Sequence, residues 1–450
     1  MTMRDSSTHR ETETSVIMKS ESFPVVTASR LGRAAAAMLL AAVATACDTD
    51  VTNPGRYEDE FLDLPSAHTA VVNGAARSLS EGLNDVAYTT GAISREIFPG
   101  GSTSSFGITP RQQQGLLIFD DEHVEWSADH RARFIAEQGF ERFRAEREAA
   151  GEPFDGYEPA ARAALWAGYA NRILGENWCE VTFDGGPAVS GDSALRRAES
   201  WFTQALAIGQ AAEVAEIVNA ALAGRASVRV GLDDWAGAAA DAALVPTDFK
   251  FVMKYAPDAT DQYNAIFWSS ASTPYRAHTV WRTKYDQYYT DTHDPRVPWA
   301  LHPTQEFGDA AVLDLGQVPF HQQQKYTLRE SPINLSSGRE MRLVEAEAAL
   351  VAGNYEPAIT LINGLRTSVG VPTVSAANIT EAWTLLKRER GIELWLEGRR
   401  LGDLRRWQEN GTPGDLDPLE VPGEASKLVA DRSLCYQIPK TERESNPNVR

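Results

Sequence analysis

The run Arg388–Trp407, RERGIELWLEGRRLGDLRRW, constrains the fold of this chain more than any other stretch. Glu389, Glu393 and Glu397 recur every four residues, which stacks them on one face of a helix. Like charges at that spacing repel, so cations have to face them, and Arg390, Arg399 and Arg400 are close enough in sequence to supply part of that charge. Gly391, Gly398 and Gly402 fall on a common stripe. Glycine weakens a helix by about 1 kcal/mol relative to alanine, and its usual use is to let another backbone approach. Leu385, Ile392, Leu396, Leu404 and Trp407 add apolar contacts. The expectation is one buried helix with its charges paired, a structural ion network of Glu389, Arg390, Glu393, Glu397, Arg400 and Asp403.

Helical hairpins are expected around it. Ala226-x-x-x-Val230-x-x-x-Asp234-Trp235-x-x-Ala238 recurs as Ala346-x-x-x-Leu350-x-x-x-Asn354-Tyr355-x-x-Ala358. Each copy sets small residues and one aromatic about a helix–turn–helix break, as in tetratricopeptide pairs, although the copies are not in tandem. With Ala160–Gly175 and Ala194–Gly209, this gives an all-α chain with helical pairs at about 160–245 and 340–407. Strand alternation is confined to short runs such as Ala311–Gln317.

Two segments, about 84–115 and 255–326, read instead as loops rich in aromatics. Loops on a rigid scaffold are where binding tends to sit. The ligand candidates are Trp281, Tyr285, Tyr288, Tyr289, Trp299, Tyr88 and Phe106. Trp281, Tyr285, Tyr288 and Tyr289 share a face if that stretch is helical. Any one of these rings could equally serve the core, where large rings dominate packing.

The start of the chain fixes an expected compartment. Arg30-Leu-Gly-Arg33, an alanine-rich apolar run over 34–44 and Ala44-Thr45-Ala46-Cys47 read as a secretory signal ending in a lipobox, with Ala44 in place of the usual leucine. The apolar run is too short for a membrane span. Residues 1–46 are therefore expected to be a signal peptide, with translation from Met18 as one reading of the long leader. Residues 47–60 form a tether lipidated at Cys47, and 61–450 a single helical domain. Cys179 and Cys435 remain as a candidate disulfide in an exported protein, or as two separate thiols.

Charge and motif content narrow the chemistry. A net charge of -19 argues against nucleic acid, which needs Lys/Arg surfaces. The eight histidines are scattered, with no H-E-x-x-H and no C-x-x-C, so no metal or cofactor is expected. Asp120, Asp121, Glu122 and His123 read as a solvated helix start rather than a calcium loop. A glycosidase would need two carboxylates across a cleft. The glutamates of 389–397 sit beside arginines on one face and read as packing, so no catalytic residue is assigned.

Glu389, Arg390, Glu393, Leu394, Glu397, Gly398, Arg400, Asp403, Leu404, Arg406 and Trp407 match, position by position, a pattern E-R-x-x-E-L-x-x-E-G-x-R-x-x-D-L-x-R-W. That pattern is the C-terminal signature of the SusD/RagB family of outer-membrane nutrient-binding lipoproteins, which the chain resembles. Arg342–Arg366, with Glu345, Ala346, Ala358, Ile362, Asn363 and Arg366, is similar to a second family segment. The tail Cys435–Asn448 resembles its closing motif, with Gln437 in place of a proline.

The resemblance implies one curved scaffold of hairpins with the remaining chain packed over it. It implies a non-enzymatic surface lipoprotein of the outer membrane, for which Asp48 and Asp50 look like an export signal. Such a protein captures oligosaccharide or peptide and hands it to a TonB-dependent, SusC-like transporter. A secreted glycan-degrading enzyme and a helical-repeat adaptor are the alternatives. The binding loops carry no shared motif, so no ligand residue follows from the resemblance.

Overall fold

Six helices follow one another through the first half of the computed structural model, which describes residues 59–120, 124–272 and 275–449. They are α1 (Pro65–Ile93), α2 (Val124–Ala150), α3 (Glu158–Asn177), α4 (Gly191–Ala211), α5 (Ala215–Gly231) and α6 (Trp235–Leu244). Each packs on its predecessor. The expected signal peptide, Cys47, nearly all of the tether, and Asp121, Glu122 and His123 lie outside the described residues.

Small residues let the helices come close. The Phe202 ring of α4 lies against Gly168 of α3 and Gly224 of α5, where an added Cβ would stand 2.7 and 2.4 Å from ring atoms. The alanine-rich faces of α3 and α5 then close the core on both sides. The turn after α5 is built by Asp233 in the left-handed region (φ 58°) and by Asp234, whose carboxylate accepts from Gly237 N at 3.0 Å as the N-cap of α6.

After α6 the chain leaves the stack. It forms α7 (Ala265–Ser270) and α8 (Lys284–Thr292), then returns as α9 (Gly338–Val351) and α10 (Tyr355–Ser368). The described strands are short and pair antiparallel in twos. They are β1 (Phe98–Pro99) with β5 (His278–Thr279), β2 (Glu180–Val181) with β3 (Val189–Ser190), β4 (Lys250–Met253) with β8 (Ile333–Ser337), and β6 (Trp299–Leu301) with β7 (His321–Gln323).

The β4–β8 ladder matters most for architecture. It pairs Lys250 with Ser337 and Met253 with Ile333, tying the start of the insertion to its end. α9 therefore lands against α6. The two sequence copies of the hairpin, α5–α6 and α9–α10, abut in space although about 90 residues are inserted between them (245–337). The stack continues through α11 (Ile379–Glu393) and α12 (Arg400–Glu409). A short last helix, α13 (Lys440–Ser445), ends the described chain, and the described residues make one compact unit.

The expected continuous helix over 388–407 is broken. α11 stops at Glu393 and α12 starts at Arg400. Between them Leu396 (φ 60°) and Gly398 (φ 71°) are left-handed. The break is stabilised from outside: Leu396 N donates to Glu96 Oε1 at 2.8 Å, Trp395 Nε1 donates to Glu96 O at 3.0 Å, and Tyr326 OH donates to Leu396 O at 3.1 Å. The glycines form no common stripe either. Gly391 faces Lys284 and Tyr285, Gly398 faces Ala87, and Gly402 faces Glu176.

The charges of this stretch are paired, but with different cations from those expected. Glu389 meets Arg296 at 2.7 Å and Arg366 at 3.0 Å, Glu393 meets Arg296 at 2.9 Å and Arg339, and Glu397 meets Lys325 at 2.7 Å. Arg390 bonds Asp403 at 2.9 Å, Arg400 bonds Glu420 at 2.7 Å, and Arg399 bonds Glu176 and Glu340. Arg390, inside α11, is taken by Asp403, and only Arg399 and Arg400 lie beyond the break. Cys179 and Cys435 form a disulfide across a separation of 256 residues.

Candidate functional site

Burial separates the aromatic candidates. Tyr88 is not in a loop, because α1 runs through the first ten residues of the expected loop 84–115. Its ring is 2% exposed, and its hydroxyl lies 3.0 Å from His278 Nδ1. Burial, helped by the charge of Arg95, pushes the His278 imidazole down to about 3, so this contact is uncharged at neutral pH. Tyr285 is fully buried and packs on Trp395, with ring centroids 5.3 Å apart. Trp281 precedes α8 instead of sharing its face, and meets Phe98 edge-on at 5.9 Å over Val312 and Val318. Tyr88 and Tyr285 are packing residues, whereas Trp281 is half-buried.

On α8, Tyr288 is half-buried, donates to Asp294 at 2.8 Å and accepts from Arg366 at 3.2 Å. Tyr289 lies 6.1 Å from Trp299, which stacks on His321 at 4.2 Å with planes 7° apart. Trp299 is thereby fixed, its indole N–H donating to Asp286 O at 3.1 Å. This pair stands apart from the remaining candidate, Phe106.

Phe106 joins rings that sequence reasoning placed within the 255–326 segment without selecting. It meets Trp268 at 6.1 Å and Tyr275 at 5.4 Å, Trp268 meets Tyr275 at 5.8 Å, and Tyr263 meets Trp268 at 4.8 Å. All four contacts are edge-to-face. Phe106, Trp268 and Tyr263 are half-exposed, and Tyr275 is 39% exposed. The Arg329 guanidinium sits over the Tyr263 ring at 4.7 Å and donates to its hydroxyl at 3.2 Å.

The cluster is held rigidly from beneath. Asn84 of α1 donates to Tyr263 O at 2.6 Å and accepts from Ala265 N at 2.8 Å. Asn264 caps α7 by accepting from Phe267 N at 2.9 Å, and donates to Ser331 O at 2.9 Å. Tyr88 touches Phe106 edge-on at 6.2 Å from below. The scaffold helix α1 thus contacts the loop at 103–106 and the start of α7, and Asn264 ties that start to Ser331. Half-exposed rings fixed in this way, with a guanidinium at one side, offer apolar faces and hydrogen-bond donors together.

The glutamates of α11 are held by arginines instead. Burial alone would raise the Glu393 carboxyl, but the Arg339 hydrogen bond and the charge of Arg296 hold it below the usual range. Glu389 is held by two arginines. Among the described residues no group of three or more His, Cys, Asp or Glu could hold a metal ion, and no helix is long and apolar enough to cross a membrane.

Residues 339–449 match the model of the SusD family. In solved structures the fold is similar to surface glycan-binding protein A from Bacteroides uniformis, at 13% identity and TM-score 0.65, covering 86% of this chain and 98% of that one. It is also similar to a SusD superfamily protein from Bacteroides vulgatus, at 15% identity and TM-score 0.60, covering 86% and 98%. A SusD-like carbohydrate-binding protein from Bacteroides fragilis aligns at 13% identity and TM-score 0.61, covering 87% and 100%. No curated protein matches.

Proposed function

We propose that the chain is a SusD/RagB-type protein, on its match to the SusD family over residues 339–449, and that it captures glycans on rings that include Phe106, Trp268, Tyr275 and Tyr263. The observation that carries this reading is the exposure of four fixed rings beside Arg329 on loops of a helical scaffold. Sugar rings present apolar C–H faces that stack on aromatic rings, and hydroxyls that the guanidinium and the Tyr263 hydroxyl can bond. Two of the similar structures are described as glycan- or carbohydrate-binding.

The proposal extends to the cell. Cys47 anchors the protein by acyl chains to the outer membrane, facing outward, and the captured ligand passes to a TonB-dependent, SusC-like transporter. The role in this reading is binding without turnover, and the arginine pairing of Glu389 and Glu393 supports it for these two glutamates. Peptide is the other ligand class this family reading allows.

Trp268→Ala and Tyr275→Ala test the site. On a panel of soluble polysaccharides in affinity electrophoresis, each substitution should weaken retention about tenfold or more, a loss of about 1.4 kcal/mol, with the helical circular dichroism unchanged. Retention equal to the unmodified protein would remove the cluster from the site. Pull-down of the tagged full-length protein from native membranes tests the partner, and a barrel receptor missing from the eluate would remove the delivery role.

A further inference from the structure

A cavity of about 340 Å³ lies between α8, α11 and the segment 415–420, and none of the four cluster rings lines it. Two of its lining residues, Lys284 and Tyr285, pack closely beside Gly391. A Cβ there would stand 2.5 Å from Lys284 Nζ and 3.1 Å from the Tyr285 hydroxyl. Lys284 is satisfied by Glu420 at 2.9 Å. The Tyr285 hydroxyl, fully buried, has no hydrogen-bond partner.

Arg388 also lines this cavity, and its Nε is buried without a partner. Among the described residues no carboxylate pairs with Arg388, whereas the buried Arg390 and Arg400 each have one. A buried donor without an acceptor is destabilising, so an acceptor supplied from outside is favoured here. The cavity lining also carries the opposite sign. Asp291 and Asp415 belong to it, are exposed, and form no ion pair with any described cation. A simple anion would meet these carboxylates, and a simple cation would meet Arg388. A molecule that carries both charges satisfies both. Ile392 and Leu416 supply apolar wall for a side chain.

We propose that this cavity binds a small zwitterion of the α-amino-acid class. Its carboxylate accepts from Arg388, its ammonium faces Asp291 and Asp415, and its side chain lies on Ile392 and Leu416. The site is separate from the glycan surface and does not depend on it.

Isothermal titration of the full-length protein in mild detergent, with each proteinogenic amino acid in turn, tests the idea. At least one apolar amino acid should bind. Its analogues lacking the amine or the carboxylate should bind about tenfold more weakly or worse. Arg388→Ala should abolish binding while leaving polysaccharide retention unchanged. Should that variant fail to fold, Asp291→Asn with Asp415→Asn alters only exposed positions. It should weaken the amino acid and leave the amine-free acid unaffected. Silence across the whole panel, equal affinity for the truncated analogues, or full affinity in the variants would each overturn the proposal, as would glucuronate binding in place of amino acids.

Discussion

Arg296 shows how much of this protein rests on single buried charges. Its guanidinium meets Asp294 at 2.7 Å, Glu389 at 2.7 Å and Glu393 at 2.9 Å, with the side chain 8% exposed. Removing one partner of a buried network leaves the others uncompensated, at a cost of about 3–5 kcal/mol. Arg296→Met should therefore lower the urea midpoint by that equivalent, and a change under about 1 kcal/mol would mean water has replaced the contact. Glu96 works in the opposite sense. Burial pushes its carboxyl up to about 7, against the hydrogen bond from Leu396 N. A folded pKa above the unfolded one gives stability that is full below the ordinary carboxylate range and is lost as pH rises towards about 7. Stability should fall by up to about 1.4 kcal/mol per pH unit across that window. Denaturant curves for the native protein and Glu96→Gln check this: the native protein alone should carry that extra loss, and parallel pH profiles would show that Glu96 does not titrate there. At this scale the sequence names the charged residues and not their partners, because Arg296, Arg339 and Arg366 come from 97, 54 and 23 residues away.

Among the elements, the break between α11 and α12 and the end of α1 depart most from sequence pattern. A four-residue period reads as uninterrupted helix, and nothing local marks Leu396 as left-handed. The cause is tertiary, since Glu96, Lys325 and Tyr326 satisfy the peptide groups that the break frees. Gly398 offers a direct check. It is left-handed at φ 71°, and a Cβ would lie 3.3 Å from Ala87 Cα. Gly398→Ala should cost about 1–2 kcal/mol from backbone strain alone, measurable by thermal unfolding; an unchanged midpoint would show that the turn relaxes freely. The end of α1 misled for a related reason. Asn84–Ile93 is rich in small polar residues that favour loops, yet it is buried helix. Its polar groups bond inward: Thr90 Oγ1 to Val86 O at 2.6 Å, Asn84 to Tyr263 O at 2.6 Å, and Tyr88 to His278 at 3.0 Å. The hairpin repeats, by contrast, were legible because the small–aromatic spacing reports a local turn, and both breaks fall where that spacing puts them.

Across the whole molecule, the sequence shows two similar hairpins far apart and a candidate cysteine pair. It does not show that the β4–β8 ladder brings the hairpins together, because strands of four and five residues leave almost no alternation to read. Nor does it single out Phe106, Trp268, Tyr275 and Tyr263. Aromatics of core and surface look alike until burial is known, and only Phe106 was among the chosen candidates. Ring stacking makes a further global prediction. The chain carries a net charge of -19, yet capture of a neutral glycan on aromatic faces should change less than about twofold between low and high salt, because screening acts on charges. A steep salt dependence would shift the site toward charged ligands.

The C-terminal tail closes the account. Tyr436 N donates to Asn177 O at 2.7 Å, Cys179 N donates to Tyr436 O at 3.0 Å, and the disulfide fixes the crossing. Beyond it, Asn446 reaches Gly186 and Lys440 N reaches Phe119 O. Stacked hairpins normally unzip from their outermost repeat. Here the last segment is bolted back to the third helix, so the ladder is a hoop, with no last rung from which to fray. Cutting that bolt by Cys179→Ser with Cys435→Ser should cost roughly 2–5 kcal/mol and, in hydrogen exchange, expose α13 before the rest of the molecule. Global exchange without that order would mean that the hoop is held shut by its packing alone.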